Sequence, residues 1–162
     1  MGTIKALGTE NILDELGKRS GDGIDAASLE PSFVEKLSAR ELGEVGELCA
    51  ISYLADRGFE ILDHHYRCSA GEADIVAYDM TEDQVVMIEV KTRRTTRESG
   101  EVYPEEAVDR KKRERYKHIA SCYCRDRYPV YSIRFDIVSI TVKSGCLAEI
   151  EHLVDAFDWE TE

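Results

Sequence analysis

Gly71-Glu72-Ala73-Asp74-Ile75-Val76-Ala77, followed after a polar turn at Met80–Asp83 by Val85-Val86-Met87-Ile88-Glu89-Val90-Lys91, is the stretch on which the fold turns. It reads as a β-hairpin. Side chains alternate between the faces of a strand, so Glu72, Asp74, Val76 and Tyr78 share one face, and Val85, Met87, Glu89 and Lys91 share one on the partner. A symmetric turn sets Asp74 opposite Glu89 and Glu72 opposite Lys91, and a slip of one residue would exchange the polar and apolar sets. Like charges facing each other on paired strands are unfavourable and call for a counter-charge. Lys91, on the same face as Glu89, offers one. A divalent cation offers another, and hard carboxylate oxygens suit Mg²⁺ or Mn²⁺.

A lone D…ExK pattern would read as a solvated sheet face. Its apolar neighbours change that reading. Ile75, Ala77, Val86, Ile88 and Val90 are apolar on one face, and Val76, Val85 and Met87 on the other. A strand pair apolar on both faces belongs in a sheet covered on both sides, where an unpaired charge is costly.

The flanking segments supply those covers. Ser38-Ala39-Arg40-Glu41 matches a capping box, and the helix it opens runs to Arg57, with Gly58 as the residue that ends it. Leu42, Val45, Cys49, Ala50, Tyr53 and Leu54 form its buried stripe, with Glu47 at the border. Phe59–Tyr66 is the first strand, and Cys68–Gly71 the turn into the hairpin. A polar loop, Thr92–Tyr103, leads to a second helix opened by Pro104-Glu105-Glu106. Its stripe of Val108, Lys112, Tyr116, Ile119, Ala120 and Tyr123 puts a lysine at a core-facing position, which a snorkelling side chain can occupy. Tyr131–Ile140 is a further strand and Leu147–Leu153 an edge strand. The order α-βββ-α-β predicts an α/β domain, residues 38–162, with a mixed β-sheet flanked by helices. Residues 1–37 are an N-terminal extension, with apolar residues at helical spacing over 3–16 and a flexible linker at Gly17–Gly23. It packs on the domain, binds a partner or stays flexible; the sequence leaves the three open.

The net charge of −12 argues against a nucleic-acid partner, because phosphate binding rests on clustered Lys and Arg. The distribution argues the other way. Residues 46–90 carry 2 basic and 10 acidic side chains, whereas residues 91–134 carry 13 and 7. An acidic metal site beside a basic rim suits a phosphodiester. Five cysteines, at positions 49, 68, 122, 124 and 146, include no C-x-x-C pair and read as reduced thiols, neither a disulfide framework nor a zinc site. His64-His65 reads as ordinary surface. No apolar run has the length of a membrane span and the N-terminus lacks a signal-peptide core, so a cytoplasmic protein with no membrane partner is expected.

Gly46-Glu47-x-x-Ala50, Tyr53-Leu54, Gly58, Gly71-Glu72-x-Asp74, Glu89-Val90-Lys91-x-Arg93, Val108-x-x-x-Lys112 and Arg134-Phe135-Asp136 together resemble the YraN-type bacterial proteins. That largely uncharacterised family is similar to archaeal Holliday-junction resolvases of the PD-(D/E)xK, restriction-endonuclease-like superfamily. The likeness spans about residues 40–158. It implies a restriction-endonuclease-like core in which Asp74, Glu89 and Glu47 hold Mg²⁺ or Mn²⁺, and Lys91 is the catalytic lysine. Ala73 stands where the superfamily has proline, which leaves the acid spacing intact. The activity implied is metal-dependent hydrolysis of phosphodiester bonds in DNA, branched or structured DNA included. Arg93, Arg94, Arg110, Lys111, Lys112, Arg113 and Arg115 would meet the nucleic acid, and a homodimer is the assembly common among the resolvases. Two alternatives stand beside this reading: a catalytically inactive nucleic-acid-binding module of the same fold, and a housekeeping partner protein recruited through residues 1–37.

Overall fold

The computed structural model describes residues 3–6, 36–94, 110–127, 129–143 and 147–159. Strand β1 is Thr3–Ala6, α1 Ala39–Ala55, β2 Phe59–Cys68, β3 Gly71–Asp79, β4 Gln84–Arg94, α2 Arg110–Asp126, β5 Ile133–Lys143 and β6 Leu147–Phe157. The strands form one sheet in the order β1-β6-β5-β4-β3-β2. Among the described strands, only β4 and β5 run parallel; every other pair is antiparallel. A parallel pair needs a crossover, and α2 supplies it between β4 and β5. The result is the expected α-βββ-α-β order in a mixed α/β fold.

Helix α1 begins at the capping box: Ser38 Oγ accepts from the Glu41 N–H, and Glu41 Oε2 accepts from the Ser38 N–H at 2.7 Å. It ends at Ala55 with Asp56 as its C-cap, two residues short of the expected Arg57, and the turn that follows closes at Gly58, whose φ of +84° is the left-handed conformation a glycine takes without strain. The helix buries Leu42, Val45, Cys49, Ala50 and Leu54 against Ile75, Ala77, Val86, Ile88, Val138 and Ile140 on one face of the sheet. Helix α2 buries Tyr116, Ile119, Ala120 and Tyr123 against Val76, Val85, Met87, Phe135 and Ile137 on the other. The two apolar faces of the hairpin thus each have their helix.

Two expectations change. Leu147–Phe157 is not an edge strand, because β1 pairs outside it from Thr3↔Ile150 to Ala6↔Leu147. Residues 3–6, read as the start of a helical pattern, are that strand: pairing with an open sheet edge satisfies backbone groups that a short isolated helix would leave to water. Residues 1–2 and 7–35 of the predicted extension, the loop at 95–109 with the Pro104 helix start, and Cys146 lie outside the described residues, while Leu37, at the extension's end, is buried in the core with α1. Among the described residues, Cys49, Cys68, Cys122 and Cys124 form no disulfide, in line with the reading of reduced thiols. No helix among the described residues is long and apolar enough to cross a membrane.

Candidate functional site

The β3–β4 ladder runs from Asp79↔Gln84 to Ile75↔Ile88. The next pair in that register is Asp74 and Glu89, so both acids stand where the ladder ends and β4 continues beside β5 to Arg94. Asp74 Oδ2 accepts from the Val90 N–H at 2.8 Å, a backbone donor that the end of the ladder leaves available. Burial is the main reason the Asp74 carboxyl sits above the usual carboxylate range. The Val90 hydrogen bond opposes that shift, the charge of Glu47 adds to it, and Lys112 and Lys91 also oppose it.

Glu89 is 5% exposed and heavily compensated. Lys91 Nζ is 3.1 Å from its Oε1, Lys112 of α2 ion-pairs with the same oxygen, and Tyr116 donates to Oε2 at 2.5 Å. Lys112 is therefore a partner of the buried acid rather than a snorkelling side chain. Burial lowers its ammonium pKa, with Arg115 adding to the shift and Asp74 opposing it. The Tyr116 phenol is pushed well above its ordinary value, first by burial and then by the Asp74 charge, so it stays a donor.

Glu47 approaches from the other helix, and the residue before it explains how. A Cβ built on Gly46 would lie 1.7 Å from Thr92 Oγ1, so α1 touches β4 one residue past Lys91, at a distance only glycine permits. Glu47 Oε2 lies 2.8 Å from His64 Nε2 and 3.0 Å from His65 Nε2, and Glu72 Oε1 lies 2.7 Å from His65 Nδ1. The two histidines are thus not ordinary surface. The signal for them was the doublet His64-His65 in a strand that ends three residues later at Cys68, with His64 paired to Ile75 beside Asp74.

The basic residues divide. Lys91 and Lys112 belong to the acidic centre. Arg93 donates to Thr141 Oγ1 at 2.9 Å and Arg94 to the Leu37 carbonyl, tying the end of β4 to β5 and to the start of α1. Arg110 and Lys111 are exposed at the start of α2, and exposed Arg115 lays its stem over Gly71. Arg113 is half-buried, its Nε lacking a hydrogen-bond partner among the described residues.

A second polar network was missed. Arg134 Nη1 lies 3.0 Å from Asp79 Oδ2, its Nε and Nη2 bind Asp136 at 2.8 and 2.9 Å, and His152 Nε2 is 2.8 Å from Asp136 Oδ2. Burial alone would raise the Asp136 carboxyl, but hydrogen bonds from His152, Arg134 and the Asp155 N–H hold it below its ordinary value. The network joins the hairpin end to β5 and β6, which gives Arg134-Phe135-Asp136 a structural role.

A mixed sheet between two helices, with acids at the end of the antiparallel β3–β4 ladder, is compatible with a restriction-endonuclease-like core. Residues 46–140 match an uncharacterised protein family, UPF0102. The chain belongs to that family. It is 43% identical over 123 residues to a UPF0102 protein of Dictyoglomus thermophilum, covering 75% of this chain and 100% of the relative. It is 37% identical over 142 residues to one of Pelobacter propionicus, covering 87% and 97%, and 40% identical over 117 residues to one of Rhodococcus jostii, covering 72% and 95%.

Proposed function

We propose that the chain is a metal-dependent nuclease that hydrolyses phosphodiester bonds in DNA, branched or structured DNA included. The observation that carries this reading is the meeting of Asp74, Glu89 and Lys91 at the end of the β3–β4 ladder, with Glu47 close enough to raise the Asp74 carboxyl. A carboxylate disfavoured first by burial and then by the charge of a second acid is a site short of positive charge, and the carboxylate oxygens of Asp74, Glu47 and Glu89 are the donor type that Mg²⁺ or Mn²⁺ takes. A bound ion of this kind lowers the pKa of its water and stabilises charge on a phosphate. The Val90 N–H fixes the Asp74 carboxylate, and Tyr116 with Lys112 fixes Glu89. Lys91, 36% exposed at its side chain, offers Nζ to an attacking water or to the scissile phosphate. Arg110, Lys111 and Arg115 supply exposed positive charge on α2 for the DNA backbone.

The second reading, a binding module without turnover, draws on the saturation of Glu89 by two lysines and a tyrosine. Purified protein incubated with Mg²⁺ or Mn²⁺ and a panel of branched, duplex and single-stranded DNA decides between them. Cleavage that disappears in Asp74→Ala is expected. Binding without cleavage selects the second reading, and cleavage that persists in the variant marks a contaminant.

A further inference from the structure

Consecutive residues of a strand point to opposite faces, yet His64 and His65 turn the same way. Their rings stack with centroids 3.9 Å apart and 28° between planes, and both Nε2 atoms reach one oxygen of Glu47. The cause is the backbone of His65, whose φ of +58° is left-handed inside β2. A residue other than glycine is held there only where the surrounding structure fixes it, and such positions cluster at functional sites. The three ligand atoms of Glu47, His64 and His65 lie within 4.8 Å of one another.

We propose that Glu47, His64 and His65 form a site for a borderline transition-metal cation such as Zn²⁺ or Co²⁺, beside the proposed all-oxygen centre at Asp74 and Glu89 and sharing Glu47 with it. Two imidazoles and a carboxylate select such ions over Mg²⁺, which takes oxygen donors. The outer groups are those a metal-binding histidine needs. His65 presents Nε2 to the site while its Nδ1 meets Glu72 at 2.7 Å, and Arg67 holds Glu72 with contacts of 3.0 and 3.3 Å. A carboxylate on the far ring nitrogen fixes the tautomer and orientation of the ligand. Ligands about 2.1 Å from one ion lie roughly 3–3.4 Å apart. The present Nε2 to Oε2 separations of 2.8 and 3.0 Å need only tenths of an ångström of opening, the ion taking the place of any proton on Nε2. Glu47 is shared with the proposed nuclease site, but the inference does not rest on nuclease activity.

The test is binding of Co²⁺ and Zn²⁺ to the full chain by calorimetry, by the visible absorption of Co²⁺, and by the ring nitrogen NMR signals of wild-type protein. Zn²⁺ should move the Nε2 signals of His64 and His65 together, and Co²⁺ should bind without thiolate charge-transfer absorption. His64→Ala with His65→Ala should weaken binding by about 100-fold or more, and Glu72→Gln by about 10-fold or more. Asp74→Asn should leave it intact, which separates this site from the nuclease centre. Zn²⁺ that leaves both ring signals unmoved in folded wild-type protein, or Co²⁺ affinity unchanged in the double variant, overturns the proposal.

Discussion

Gly46→Ala tests the contact that brings Glu47 to the site. The added Cβ would lie 1.7 Å from Thr92 Oγ1, 2.7 Å from its Cβ and 2.8 Å from its Cγ2. Ordinary carbon contacts are about 3.5–4.0 Å, so turning the Thr92 side chain does not suffice and α1 must back away from β4. Inserting a methyl group into a packed contact costs about 1–3 kcal/mol, and an approach this close belongs at the upper end. Alanine recovers about 0.8–1.0 kcal/mol as the better helix former. The net loss is therefore about 2 kcal/mol, or roughly 4–8 °C in Tm for a chain of this size. Urea unfolding of wild type, Gly46→Ala, Thr92→Ala and the double variant measures it. Thr92→Ala removes Oγ1 and Cγ2 but leaves Cβ, so the double variant should recover part of the loss and show a favourable coupling. Helix retreat also carries Glu47 away from His64 and His65, so Gly46→Ala should weaken Co²⁺ binding. A variant as stable as wild type, or strictly additive with Thr92→Ala, refutes the close approach of α1 to β4.

Asp74→Asn should melt no lower than wild type in EDTA, because it removes a carboxylate that burial and Glu47 disfavour, and should lose most of the stabilisation wild type gains across a Mn²⁺ titration. Lys112→Met should cost about 1–3 kcal/mol in urea unfolding, less than the ~3–5 kcal/mol of an orphaned buried charge because Lys91 still faces Glu89. Asp136 has a folded pKa below its unfolded value, so its contribution is present above the unfolded value and is lost as pH falls through the folded one. Melts from neutral to acid pH should show a shallower decline in Asp136→Asn than in wild type. Replacing Arg110 and Lys111 by Glu should reduce the slope of log binding constant against log salt by about 2 or more in a DNA titration, and an unchanged slope removes them from the interface.

The sheet was legible because its rules are local. Alternation over Ile75, Val76, Ala77 and Val86, Met87, Ile88 leaves one register that buries both faces, and a short polar turn supplies it, so Asp74 opposite Glu89 followed from the residues alone. The capping box at Ser38 opens α1 for the same reason, acting within a few residues, whereas the helix stops at Ala55, ahead of the turn that Gly58 closes. What decided the sheet edge was not local. Thr3–Ala6 pairs with β6 across nearly the whole chain, and four residues carry no pattern that names so distant a partner.

The electrostatics of the site were less legible, because charge compensation depends on which helix face meets which strand end. Sequence spacing set Asp74 against Glu89 as a repelling pair. In the folded chain Glu89 is answered by Lys91 on its own strand and by Lys112 from a helix 23 residues away. The acid that raises Asp74 is Glu47, 27 positions earlier in the chain. The histidines were hidden for a different reason. Strand periodicity sends adjacent side chains to opposite faces, and only the left-handed φ of His65 puts both rings on Glu47. A periodicity rule fails first where the backbone departs from the period, and departures of that kind concentrate where side chains must converge on one point. The doublet His64-His65 beside an acidic hairpin is therefore better read through the bend it requires than through the strand it interrupts.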